Sequence, residues 1–220
     1  MNKTVLGTSI IFAALNLFAQ GTVFLINRNS LGTTHVWGSY QYISLVGFGS
    51  NDSPSGTTPY QACGMTLIGA NGTGGLYGAA TTFAQLLAAN GANQPESSLL
   101  PMGQTTTFHT GTSAGILAAT TVTLVGIAPD SPAATLELVA WDNSSGLYPT
   151  WIEAHAAWMR GANGAFGKSG AFTVLNIGGE WNTPPVMLIP SFNLIRIPEP
   201  ATITLAVLGG AMLMISRRRE

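Results

Sequence analysis

The sequence predicts a mainly β protein: a single antiparallel β-sandwich, immunoglobulin-like or jelly-roll-like, with one short helix, flanked by an N-terminal signal helix and a C-terminal transmembrane helix. Three observations predict it. Short stretches of alternating polar and apolar residues recur through the middle of the chain, separated by clusters of Gly, Pro, Asn and Ser, the pattern of half-buried strands joined by turns. Charged residues make up only 8% of the 220 residues, so the polar surface rests on Gly, Thr, Ser and Asn, which suit tight turns. Within the middle region a helical period stands out in one place alone, near residue 155. The expected organisation is a signal peptide at 1–20, an exported domain at 21–196 and a sorting tail at 197–220.

Taken in order, Thr22 to Asn27 reads as the first strand, followed by a turn through Asn29, Ser30, Leu31 and Gly32. Tyr40 to Gly47 alternates as a half-buried strand does, and Tyr60 to Ile68 reads as the next. The segment Leu76 to Asn90 fits either an Ala-rich helix or a strand; Thr81, Thr82 and Phe83 tilt it toward strand. A loop from Gly91 to Gly103 leads to a strand over Gln104 to His109. Ala119 to Gly126 and Ala134 to Trp141 flank a proline-bearing turn and are expected to pair as an antiparallel hairpin. Pro149 to Arg160 reads as the helix, with Trp151, Ile152, His155, Trp158 and Met159 on one face. Ala171 to Ile177 and Ser191 to Ile197 are the closing strands, and no repeat of solenoid or propeller period is present.

The two ends read as an address. Lys3 precedes an apolar core from Val5 to Phe18, and small residues follow at Ala19 and Gly21, so a secretory signal peptide cut after Ala19 or Gln20 is expected. At the other end Pro198-Glu199-Pro200 leads into an apolar run from Ala201 to about Ser216 and then Arg217, Arg218 and Arg219. As a helix that run would be about 24 Å long, somewhat short of the ~30 Å hydrocarbon core. The arginines would stay cytoplasmic as a retention cluster, leaving the preceding chain outside, while the prolines keep the approach extended.

A PEP tripeptide, a short apolar span and a terminal arginine cluster resemble the PEP-CTERM sorting signal of Gram-negative bacteria. The resemblance implies recognition and cleavage near Pro198, Glu199 and Pro200 by an exosortase, a membrane-embedded cysteine transpeptidase-like enzyme, in strains that make extracellular polysaccharide. Shorter strings in the body, AQGTV, FHTGTSAG, GIAP followed by LVAWD, GKSGAFTV and SFNL, are similar to a recurrent arrangement in exported PEP-CTERM proteins of Verrucomicrobia, a group whose resemblance brings no activity with it. Where that group has a plain connection ahead of AFTV, this chain carries its Trp-rich helix.

Little in the residues points to chemistry. Between Gln20 and Ile197 the cations are Arg28, Arg160, Lys168 and Arg196, fewer than the acids, so nucleic-acid binding has no electrostatic support. The single cysteine, Cys63, allows no internal disulfide and is expected to be a buried, inert thiol in a strand. His35, His109 and His155 are far apart and lack metal-ligand spacing, and there is no GxSxG or Walker-type motif. No cofactor or metal is expected. Asp142 reads as a strand-end or turn carboxylate, and His155 as structural. Glu137 and Asp142 form a carboxylate pair that would serve a glycosidase only at the right separation. Trp151 and Trp158 are the candidate glycan contacts, since aromatic faces stack on sugar rings.

The leading expectation is an exported, non-enzymatic surface or extracellular-matrix protein whose partners are an exosortase-type enzyme, the membrane before processing, and exopolysaccharide. A carbohydrate-binding module and an envelope hydrolase are the alternatives.

Overall fold

The computed structural model describes residues 19–39, 44–47, 60–162 and 164–197. The expected signal core at 1–18, the Pro198-Glu199-Pro200 motif, the apolar run and Arg217 to Arg219 lie outside the described residues, as does the first half of the expected strand at 40–47. No helix among the described residues is long and apolar enough to cross a membrane.

Within these residues the protein is mainly β with one α-helix. The strands are β1 (Gly21–Leu25), β2 (Arg28–Asn29), β3 (Gly32–Thr33), β4 (Val36–Gly38), β5 (Val46–Gly47), β6 (Thr66–Leu67), β7 (Thr82–Asn90), β8 (Leu100–Thr106), β9 (Thr120–Leu124), β10 (Ala133–Asp142), β11 (Gly164–Lys168), β12 (Phe172–Leu175) and β13 (Ser191–Ile197). The helix, α1, spans Trp151–Met159 between β10 and β11.

One large sheet runs β6-β4-β13-β11-β10-β7-β8, with β12 also on β10 and β5 also on β13. Its pairings are antiparallel except for β4 with β13, which is parallel. β10 is its centre. It pairs with β7 from Ala134 to Asp142 on one side, and with β12 and then β11 on the other, so all of its residues are buried. Between β12 and β11 the ladder is bridged by Ser169, whose backbone N–H donates to the Leu138 carbonyl at 2.9 Å while its hydroxyl accepts from the Leu138 N–H at 2.9 Å.

The residues of β10 alternate between two cores. Ala134, Leu136, Leu138 and Ala140 face inward, with Leu86 and Ala88 of β7, toward a ribbon made by β1 and β9. That ribbon contributes Val23, Leu25, Val122 and Leu124, which close the main core. Val139 and Trp141 point the other way, into a second cluster covered by α1. A third, smaller cluster joins Trp37, Tyr60 and Met65. Trp37 and Tyr60 stack at 5.4 Å, and the Tyr60 hydroxyl donates to the Ser191 carbonyl at 2.8 Å.

Several expectations are corrected. The stretches 119–126 and 134–141 both form strands, but they do not make a hairpin. β9 pairs with β1 in the ribbon and β10 sits in the large sheet, because the Gly126–Pro132 connection carries the chain from one layer to the other. Tyr60 to Ile68 is not one strand: a 3-10 turn at Gln61–Cys63, ended by Gly64 in the left-handed conformation (φ 72°), precedes the two-residue β6. Cys63 therefore lies half-buried in a turn, packed beside the third cluster. The strand expected at 104–109 begins earlier, at Leu100, and the ambiguous segment 76–90 contains β7. The buried face of α1 is also rotated from the expected one: Trp151, Ala154 and Ala157 are buried, whereas Ile152 and Met159 are 69% and 75% exposed.

Candidate functional site

The region richest in polar chemistry lies under and beside α1. The helix begins at a capping box. The Thr150 hydroxyl accepts the Glu153 N–H at 3.3 Å, and the Glu153 carboxylate accepts the Thr150 N–H at 3.0 Å, satisfying donors that a helix start leaves unpaired. The approach to it is fixed by Asn143, whose side-chain oxygen accepts the Tyr148 N–H at 2.8 Å, and by the Trp141 indole N–H, which donates to the Tyr148 carbonyl at 2.7 Å. Ala154 and Ala157, having almost no side chain, let the helix lie close on the sheet.

An aromatic chain runs beneath it. Phe83 meets Trp141 edge-on at 5.9 Å, Trp141 meets Trp151 at 5.7 Å, and Trp151 meets His155 at 5.3 Å. Trp158 stacks on Phe166 at 5.7 Å with the planes 6° apart, and the Lys168 ammonium lies 5.2 Å from its ring centre. Of the two expected glycan contacts, Trp151 is buried and shows only part of its ring to the surface, and Trp158 is half-buried between Phe166 and Lys168. Neither offers an open ring face.

Beside this chain, between α1 and the turn that precedes β8, is a cleft of about 400 Å³. Leu87, Leu99, Pro101 and Ile152 supply apolar walls; Trp151, His155, Glu96, Ser97 and Lys168 supply rings and polar groups. Lys168 and Glu96 form an ion pair across it. Burial, with the Lys168 charge, pushes the His155 imidazole below its usual value against an opposing pull from Glu96.

Glu137 lies behind the cleft wall, beside Leu87. It stands opposite Leu87 in the β10–β7 pairing and on the same face as Val139 and Trp141, so its side chain enters the helix-covered layer. It is 0% exposed, and neither carboxylate oxygen has a hydrogen-bond partner. Burial first, and the Glu96 charge second, push its carboxyl up to about 7, with Lys168 acting in the other direction. Glu137 and Asp142 are not brought together, because an odd spacing on one strand sends them to opposite faces. Asp142 instead ends β10 as expected of it, accepting the Ser144 hydroxyl at 2.6 Å and the Tyr77 N–H at 3.2 Å. Burial raises its carboxyl, and these bonds and Arg196 pull the other way.

Two further features lie elsewhere. Trp181 is 87% exposed on a loop whose backbone N–H groups, at Glu180, Trp181 and Asn182, all donate to the Asp130 carboxylate at 2.7–3.2 Å. A smaller groove of about 290 Å³ runs between β8 and β9, lined largely by threonines and free of charge. Ala19 and Gln20 are exposed chain immediately ahead of β1. Among the described residues no three His, Cys, Asp or Glu side chains are grouped to hold a metal ion.

Sequence reasoning missed Glu96, Ser97 and Lys168, which sit 72 positions apart at their ion pair and carry no local motif. No protein-family model matches the chain, and neither a curated protein nor a solved structure is significantly similar to it.

Proposed function

We propose that this chain is an exported, non-enzymatic surface or matrix protein whose working part is the β-rich domain and whose tail is a PEP-CTERM sorting signal, processed by an exosortase-type enzyme. The domain is read as a β-sandwich of the immunoglobulin-like or jelly-roll-like kind, with one layer reduced to the β1–β9 ribbon. What supports the reading is an adjacency. β13 is held on one side by β4 and on the other by β5 and then β11, and it ends at Ile197, directly before Pro198-Glu199-Pro200. A proline cannot donate to a ladder, so the motif is a suitable place to cut, and removal of the tail takes no described strand with it. The test is intact-mass measurement of the protein recovered from cells that have or lack the processing enzyme. Loss of the N-terminus near Ala19 or Gln20, and of the tail near Glu199 only when the enzyme is present, is expected. Mature protein outside the cell that still carries residues 201–219 would overturn the reading.

A second reading, a binding module for exopolysaccharide, is favoured by one observation: the cleft beside Trp151 combines apolar walls with convergent donors and acceptors, the make-up of small-ligand sites.

A further inference from the structure

We propose that the cleft beside α1 binds a neutral sugar unit, and that Lys168 changes carboxylate partner, from Glu96 to Glu137, when it does. The proposal rests on the second reading above and names the site and the ligand class for it.

A buried carboxyl with no hydrogen-bond partner, as at Glu137, is an unusual thing for a fold to keep, because burial removes its water and nothing replaces it. The donor within its reach is Lys168. That residue stands opposite Val139 across β10 and β11, which makes it a diagonal neighbour of Glu137 on the same face, a spacing that long side chains span. In the structure its ammonium is taken by Glu96 instead. Lys168 therefore stands between two carboxyls, one across the cleft and one behind its wall.

A ligand that satisfies Glu96 would release it. The cleft carries no surplus charge: Lys168 and Glu96 offset each other, His155 is held toward its neutral form by burial, and Glu137 is held protonated below neutrality. An anion would meet the Glu96 carboxylate, and a cation would compete with an ion pair already made. A sugar ring offers what is left, hydroxyls that donate to Glu96 and accept from Ser97, with C–H groups for Pro101, Ile152 and the part of the Trp151 ring that reaches the surface. At about 400 Å³ the cleft is near the small end of ligand sites, which suits one or two rings in preference to a long chain.

The exchange has a signature. When Lys168 turns to Glu137 the carboxyl ionises and its proton leaves to solvent, so binding tightens as pH rises toward 7 and levels off above it. The titratable groups facing Glu137 are Glu96 from the turn before β8, Lys168 from β11 and His155 from α1; β7, β8 and β12 contribute none.

The experiment uses the full chain in a zwitterionic, sugar-free detergent. Methyl glycosides of glucose, galactose and mannose and their disaccharides are titrated in while the tryptophan indole N–H resonances are followed by NMR. Expected are saturable shifts at Trp151 and Trp158, an affinity that rises by up to about tenfold per pH unit below 7, and loss of that slope in both Glu137→Gln and Lys168→Met. If Glu137→Gln does not fold, Lys168→Met alone decides. No binding by any glycoside overturns this site and the glycan reading together. Binding that keeps its pH slope in the variants, or that shifts Trp181 and is lost in Trp181→Ala, overturns this site and leaves the glycan reading standing.

Discussion

Glu137 faces Leu87 across the β7–β10 pairing, and the register that makes the leucine a wall of the cleft turns the carboxyl away from all water. The consequence is a stability that depends on pH. The carboxyl titrates near 7 in the folded protein against an ordinary value of 4.5. The folded state thus binds the proton more tightly than the unfolded chain, so stability is full below about 4.5 and falls as pH rises to about 7. The loss is about 3 kcal/mol. Urea denaturation across this range should show it in the parent protein. Glu137→Gln should remove the slope, and Glu137→Leu should make the protein more stable at pH 8, because an apolar side chain replaces an unpaired buried charge. A parent protein whose stability is flat between pH 4.5 and 7 would show that the carboxyl is solvated.

Asn27 joins three stretches of chain at the end of β1. Its amide donates to the Thr34 and Gly115 carbonyls at 2.8 and 3.0 Å and accepts the Leu117 N–H at 2.9 Å, all out of reach of water. Asn27→Ala leaves the Thr34 carbonyl and the Leu117 N–H buried without that partner, while the Gly115 carbonyl keeps the Val36 N–H, at a cost of about 2–4 kcal/mol. The urea midpoint should fall by the corresponding amount with the slope unchanged. A drop within a few tenths of a kcal/mol would mean that water takes over the three bonds.

How far the sequence carried differs from element to element, for physical reasons. β1, β10, β12, β13 and α1 were legible because each has its own local signal: alternation, a turn on either side, or the helical period after Thr150. The partner of β9 was not. Nearness in sequence argued for β10, but β9 joined β1, almost a hundred residues earlier, through a register that only the assembled core selects. The face of α1 misled because size was weighed above fit: alanines at 154 and 157 let the helix approach the sheet, and the larger Ile152 and Met159 turned outward. Glu137 was the hardest. Flanked by Leu136 and Leu138 it reads as the wet side of a half-buried strand, and its burial follows only once strands lie on both sides of β10 and a helix above it.

Gly38 lies flat against the ring of Tyr77, such that a Cβ placed there would sit 2.5 Å from two ring carbons. The ring cannot move aside easily, since the Tyr77 hydroxyl donates to the Ser39 carbonyl and its backbone N–H to Asp142. Gly38→Ala should therefore cost about 1–3 kcal/mol, the usual penalty of forcing extra volume into a packed core. Thermal unfolding would measure it. Gly74→Ala, where a Cβ meets nothing within 4 Å, is the matched control and should leave stability nearly unchanged.

Asp130 holds the Trp181 loop by a carboxylate that accepts three successive N–H groups, from Glu180, Trp181 and Asn182. Desolvation pushes this carboxyl upward, but the three backbone donors together win and hold it below its ordinary value. The aspartate itself adopts a left-handed backbone (φ 56°), which Asn also tolerates, so Asp130→Asn tests the hydrogen bonds without adding strain. An amide has one accepting oxygen where the carboxylate has two, and its NH₂ would face donors. Hydrogen exchange of the amides at 180–182 should accelerate in this variant while exchange in β10 stays as in the parent. In the parent the same amides should exchange faster only at acid pH, once Asp130 is protonated, after correction for the intrinsic rate. Unchanged protection in the variant would mean that the loop is held by the Gly179 N–H to Asn182 carbonyl bond, at 2.9 Å, and by packing against Pro129.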